Sequence, residues 1–132
     1  MARIGNASQG RVLVVDQAPL ERQALVRELQ RAKFDVLEAN GYDEALAALD
    51  GGSDIIAVVS DCHMQGRSGL ELLAEVQRRA PSTFRILYSG SLVERQVQAA
   101  TRGRVVDAFF SKPWAAGEIA AAIRGVRRLI DG

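Results

Sequence analysis

Cysteine is nearly absent from this chain: Cys62 stands alone among 132 residues, so no internal disulfide can form and disulfide-built scaffolds are excluded. Histidine is equally scarce. His63 has no second ligand at zinc spacing, which removes the usual ground for a zinc site. Charge of one sign is lacking too, because 17 basic residues against 16 acidic leave a formal net charge of +1. Nucleic-acid binders generally carry a clustered basic excess, so no direct nucleic-acid partner is expected. No apolar run is long enough to cross a bilayer or act as a secretory signal; no membrane association is expected, and the cytoplasm is the expected location. Repeats, low-complexity tracts and internal linkers are missing as well. What remains is the length of one ordinary domain with enough apolar residues for a core.

Residues Met1 to Gly10 mix polar residues and glycine without periodicity and are expected to form a flexible leader, with the domain over 11–132. The chain could be a stand-alone protein or one domain of a longer one. From there apolar runs at Val12–Val15, Phe34–Leu37, Ile55–Val59, Arg85–Tyr88 and Val105–Phe110 alternate with helical spacing over Leu20–Ala32, Asp43–Leu49, Leu70–Arg79, Val93–Thr101 and Glu118–Ile130. Ser68 is a candidate N-cap for the third helix. In the last helix, Ile119, Ile123, Val126 and Ile130 form one apolar stripe, which should pack on a sheet face. The first and third runs are apolar at nearly every position, as strands covered on both sides must be. Right-handed crossovers then predict an α/β fold: a doubly wound, five-stranded parallel sheet of order 2-1-3-4-5 with helices on both faces, the flavodoxin-like arrangement.

In that topology Asp16, after the first strand, and Asp61, after the third, flank the switch point and share one crevice. Two carboxylates there suit a hard cation such as magnesium, which takes oxygen ligands and often uses only one or two carboxylates. Ser89 ends the fourth strand, where its hydroxyl could donate to a phosphoryl oxygen on Asp61. Lys112 ends the fifth, where its charge could neutralise a transferring phosphoryl group. Each residue alone has a bland reading, as a loop cap, a turn or a solvated lysine. Position makes the set informative. The phosphate-binding loop of a nucleotide site needs glycine or hydroxyl residues after the first strand, and Gln17-Ala18-Pro19-Leu20 supplies neither. A haloacid-dehalogenase-type phosphatase would need an acid at Ala18. Cys62 beside His63, with no orienting third residue, makes a poor hydrolase.

The four segments Asp16-Gln17, Asp61-Cys62-His63-Met64-Gln65-Gly66-Arg67-Ser68-Gly69, Ser89-Gly90 and Lys112-Pro113, in this order and one strand and helix apart, resemble the receiver domains of bacterial two-component response regulators. The resemblance spans almost the whole chain after Gly10. It implies that Asp61 is the phosphoacceptor, taking a phosphoryl group from a histidine kinase, a phosphotransfer protein or a small phosphodonor. It implies a bound Mg2+ held by Asp16, Asp61 and the backbone carbonyl of His63, phosphoryl contacts from Ser89 and Lys112, and a switch formed by Ser89 and Phe109. Such a domain is no enzyme with a separate substrate; it promotes only its own aspartyl phosphorylation and dephosphorylation. Its output would pass through the face made by the fourth helix, fifth strand and fifth helix, roughly 92–101, 105–111 and 118–130, which could form a homodimer or hold a fused effector domain.

One residue departs from the family pattern. Gln17 stands where the family places the acid that ligates magnesium directly, and a neutral amide oxygen is a poorer ligand for a hard cation. Magnesium affinity should therefore fall. The expectation is a receiver phosphorylated on Asp61 with a weakened magnesium site; the alternative is a degenerate receiver that works as a phosphorylation-independent protein-interaction domain. Gln65 in place of the family's proline loosens the loop after Asp61.

Overall fold

The structure, a computed structural model, describes residues 8–51, 54–90, 99–101 and 103–131, the side chains of 127–131 excepted. Its strands are β1 (Arg11–Val15), β2 (Asp35–Ala39), β3 (Ile55–Asp61), β4 (Phe84–Ser89) and β5 (Ala108–Ser111). Its helices are α1 (Pro19–Arg31), α2 (Tyr42–Leu49), α3 (Gly69–Arg79) and a C-terminal helix, Glu118–Asp131. All strand pairs are parallel and the order is β2-β1-β3-β4-β5, as the alternating pattern predicts. The fourth helical stretch expected at Val93–Thr101 lies mostly outside the described residues.

Strand alternation divides the core in two, because successive side chains point to opposite faces. Val12, Val14, Ala57, Val59, Ile86 and Tyr88 face Leu25, Val26 and Leu29 of α1 and Ile119 and Ile123 of the C-terminal helix. Leu13, Val15, Val58 and Leu87 face Ala45 of α2 and Leu72, Leu73 and Val76 of α3. Of the expected stripe on the last helix, Ile119 and Ile123 are buried and Val126 is half-buried, while the side chain of Ile130 is outside the described residues.

Two boundaries differ from expectation. The fifth apolar run was expected to be strand from Val105, but β5 begins at Ala108. Arg85 is the reason: buried to 4% exposure at the start of β4, it donates to the carbonyls of Pro81, Thr83, Arg104 and Val105 and pairs with Asp107. A guanidinium buried this deeply must spend its donors on acceptors, and the carbonyls of 104 and 105 are bent toward it instead of along the sheet. At the other end, hydrogen bonds tie Ser8–Gly10 to the domain. The Gln9 amide donates to Lys33, Gly10 accepts from Asp35, and the Gln9 side chain bridges Ala32 and Arg124.

α3 starts on a capping box, with the Ser68 hydroxyl accepting from the Glu71 N–H and Glu71 accepting in return from Ser68 N–H. Ser68→Ala is expected to lower stability by about 1 kcal/mol, measured as a shift in the urea midpoint. The same turn packs directly against the end of β3. A Cβ on Gly69 would sit 1.9 Å from the Asp61 carbonyl oxygen, so only glycine lets α3 start this close to the end of β3.

Candidate functional site

The C-terminal ends of β1, β3, β4 and β5 meet at one open crevice of about 700 Å³, lined among others by Glu21, Asp61, His63, Ser89, Lys112 and Trp114. Asp61 is the last residue of β3, Ser89 the last of β4, and Lys112 follows β5 directly. Asp16 follows β1 and lies beneath them, fully buried.

Lys112 is the hub. Its Nζ lies 2.9 Å from Asp16 Oδ2, 3.3 Å from Glu21 Oε2 and 3.4 Å from Asp61 Oδ1, and 4.4 Å above the centre of the Tyr88 ring. Burial pulls its pKa down, but Asp16, and then Asp61 and Glu21, more than offset this and hold the ammonium above its ordinary value. The loop behind it is pinned to α1, where Glu28 accepts from both Trp114 Nε1 and Gly117 N–H.

The two oxygens of Asp61 differ in their surroundings. Oδ1 accepts from Cys62 N–H at 2.9 Å and faces Lys112, while Oδ2 accepts no hydrogen bond from the described residues. Burial raises the pKa of this carboxyl; Lys112 opposes the rise and Asp16 adds to it. The Cys62 thiol is also pushed up, by burial and then by Asp61, which makes it a poor nucleophile.

Asp16 has no such freedom. Its Oδ1 accepts from Ala18 N–H at 2.9 Å, and its Oδ2 accepts from the Tyr88 hydroxyl at 2.6 Å as well as from Lys112. Burial, then the bond to Asp16, drives the Tyr88 phenol far above its ordinary pKa, so it remains a donor. Gln17 is not in the crevice with Asp61. Its amide oxygen accepts from Gln65 N–H at 2.8 Å, tying the loop after β1 to the loop after β3, and its nitrogen lies toward Gly41.

Of the residues expected at the site, the fold thus gathers Asp16, Asp61, Ser89, Lys112 and His63, and leaves Gln17 to one side. Phe109 lies on β5 itself, three residues before Lys112, half-buried and paired in register with Leu87. Two participants were not anticipated, Tyr88 and Glu21. Tyr88 carried a usable signal, since a phenol in a run as apolar as Ile86-Leu87-Tyr88 must find a partner for its hydroxyl. Glu21 sits in the first turn of α1, a placement with an ordinary explanation in the helix dipole.

As placed, Asp16 and Gln17 offer a divalent cation no unengaged oxygen, which leaves Asp61 Oδ2 as the open carboxylate oxygen. Both Asp16 oxygens and the Gln17 oxygen already accept hydrogen bonds, and no group of three or more His, Cys, Asp or Glu among the described residues is arranged to hold a metal ion. None of the helices, among the described residues, is long and apolar enough to cross a membrane.

Comparison with known proteins gives a consistent result. The family model of the response regulator receiver domain matches residues 12–124. The hydrogenase transcriptional regulatory protein HoxA of Cupriavidus necator is 32% identical over 116 residues, covering 88% of this chain and 24% of that protein. The transcriptional regulatory protein TcrA of Mycobacterium tuberculosis is 30% identical over 125 residues, 94% of this chain and 48% of that one. The chain therefore spans about a quarter and about half of these relatives. Among solved structures, the signal receiver domain of an HD domain-containing protein from Pseudomonas fluorescens superposes with a TM-score of 0.83 at 27% identity, covering 91% of this chain and 95% of that one. The response regulator TrrA of Thermotoga maritima, solved in complex with Mg(2+)-BeF, gives 0.79 at 26% identity, over 89% and 99%.

Proposed function

The chain belongs to the response regulator receiver domain family, and on that premise we propose that it is a signalling receiver that accepts a phosphoryl group on Asp61, with low affinity for magnesium. The observation that carries this reading is the pair of roles within one carboxylate: Oδ1 of Asp61 is held by Cys62 N–H and faces Lys112, while Oδ2 is left open to the crevice. Oδ2 attacks the phosphorus of a phosphohistidine on a kinase or phosphotransfer protein, or of a small phosphodonor. The P–N bond of the phosphohistidine breaks, the imidazole keeps the electron pair, and an acyl phosphate remains on Asp61. Lys112, 3.4 Å from Oδ1, neutralises charge on the transferring group, and the Ser89 hydroxyl donates to one of its oxygens.

The response is a shift between two conformations that Ser89 and Phe109 couple to the face of β5 and the C-terminal helix. Residues 92–98 of that expected face lie outside the described residues. A fused effector domain, or a second copy of the chain, would read it; the relatives' greater length supports the former. Incubation with acetyl phosphate should give hydroxylamine-labile phosphate on the peptide that contains Asp61. Its absence in folded protein would instead support a phosphorylation-independent interaction domain, a reading favoured by the engagement of Gln17 with Gln65 and of Asp16 with Tyr88.

A further inference from the structure

Gln17 is the obvious departure in the sequence, but the side chain facing the carboxylate that a metal would use is Tyr88. Its hydroxyl, from the face of β4 that packs on α1, reaches Asp16 Oδ2 at 2.6 Å, and Lys112 shares the same oxygen at 2.9 Å. Asp16 is fully buried, so its carboxylate has no spare face toward water. A divalent cation would have to displace a buried, charge-assisted hydrogen bond, an exchange whose cost falls on the phenol left without a partner.

We propose that Tyr88, more than Gln17, closes the divalent-cation position, and that Lys112, set among Asp16, Asp61 and Glu21, is the resident cation of the crevice. The inference rests on reading the crevice as a receiver site. Gln17 is the lesser barrier because its amide is engaged with Gln65 and lies toward Gly41, and holds no oxygen of Asp16. An aspartate there adds charge, but Asp16 stays locked.

Calorimetric titration with magnesium chloride alone, on the whole chain and on Gln17→Asp, Tyr88→Phe and the double variant, separates the two barriers. The wild-type chain and Gln17→Asp should bind weakly, within about threefold of each other. The double variant should bind about tenfold to a hundredfold tighter, the equivalent of one hydrogen bond to a charged group. Gln17→Asp matching the double variant would overturn the proposal, as would a double variant no tighter than wild type. Saturable magnesium shifts at the Asp61 and Cys62 amides of the unaltered chain, at an affinity equal to that of the double variant, would also overturn it, and this measurement depends on the folding of the double variant only for its reference. Should Tyr88→Phe melt early, Tyr88→Leu removes the same hydroxyl. Phosphoryl incorporation is scored separately on the unaltered chain with and without chelator. Its failure would remove the phosphoacceptor reading while leaving the cation comparison standing, and incorporation lost on chelation would overturn Lys112 as the resident cation.

Discussion

Asp61→Asn is expected to abolish phosphoryl incorporation and at the same time to make the protein more stable. The loss follows because an amide oxygen does not form an acyl phosphate, and Asp16, the other carboxylate at a strand end, is fully buried. The gain follows from the environment of Asp61. Its pKa is raised, first by burial and further by Asp16, with Lys112 opposing. A carboxyl whose folded-state pKa lies above its unfolded value favours folding while protonated. That contribution is present below the unfolded pKa and is lost as pH rises through the folded one. At neutral pH the ionised group therefore works against the fold, and asparagine removes the charge while keeping the shape. The expected increase in melting temperature is on the order of a few degrees at neutral pH, shrinking as the buffer is taken below the ordinary carboxylate range. Calorimetric scans of both proteins at several pH values check the sign; a variant less stable than wild type at neutral pH would contradict the account of Asp61.

Lys112→Met should have the opposite effect, a loss of about 3–5 kcal/mol. The side chain of Asp16 is 1% exposed and that of Lys112 10%, so removing the ammonium leaves a buried carboxylate with only the Tyr88 hydroxyl and the Ala18 N–H. Breaking one side of a buried pair costs far more than the pair itself contributes, because the surviving charge has nowhere to go. Asp16→Asn should restore a large part of the loss in the double variant, since the stranded charge is then gone. The wild-type contribution has a defined pH window. Burial lowers the Lys112 pKa but its carboxylate neighbours raise it more, so the stability it confers is present below the ordinary lysine value and disappears as pH rises through the elevated folded value. Urea midpoints of wild type and Lys112→Met should accordingly converge in strongly alkaline buffer. The same variant should lose phosphoryl incorporation, because no other cation faces Asp61 among the described residues.

The period-two and helical patterns in the chain were sufficient for the sheet. Val12 and Val14 alternate with Leu13 and Val15 so regularly that a strand buried on both faces is the only economical reading, and β1 lies inside the observed order, between β2 and β3. Right-handed crossovers then leave few topologies, and the one expected is the one found. The same logic places Asp16, Asp61, Ser89 and Lys112 together, because strand ends in a parallel sheet converge by construction. Local pattern was less informative where a single long side chain overrides it. The run Val105–Phe110 reads as strand throughout, yet Arg85, twenty residues away, draws the carbonyls of 104 and 105 out of the ladder.

Sequence by itself determined which residues end the strands, and hence which functional groups reach the crevice, since that depends only on periodicity and chain order. Tertiary structure alone decided how those groups partner one another: Lys112 shared by three carboxylates, Tyr88 bound to Asp16, and Gln17 turned to Gln65. The physical reason is range. Backbone pattern is set by neighbours a few positions apart, whereas a hydrogen bond such as Tyr88 to Asp16 joins residues 72 positions apart and depends on side-chain directions that no local period encodes.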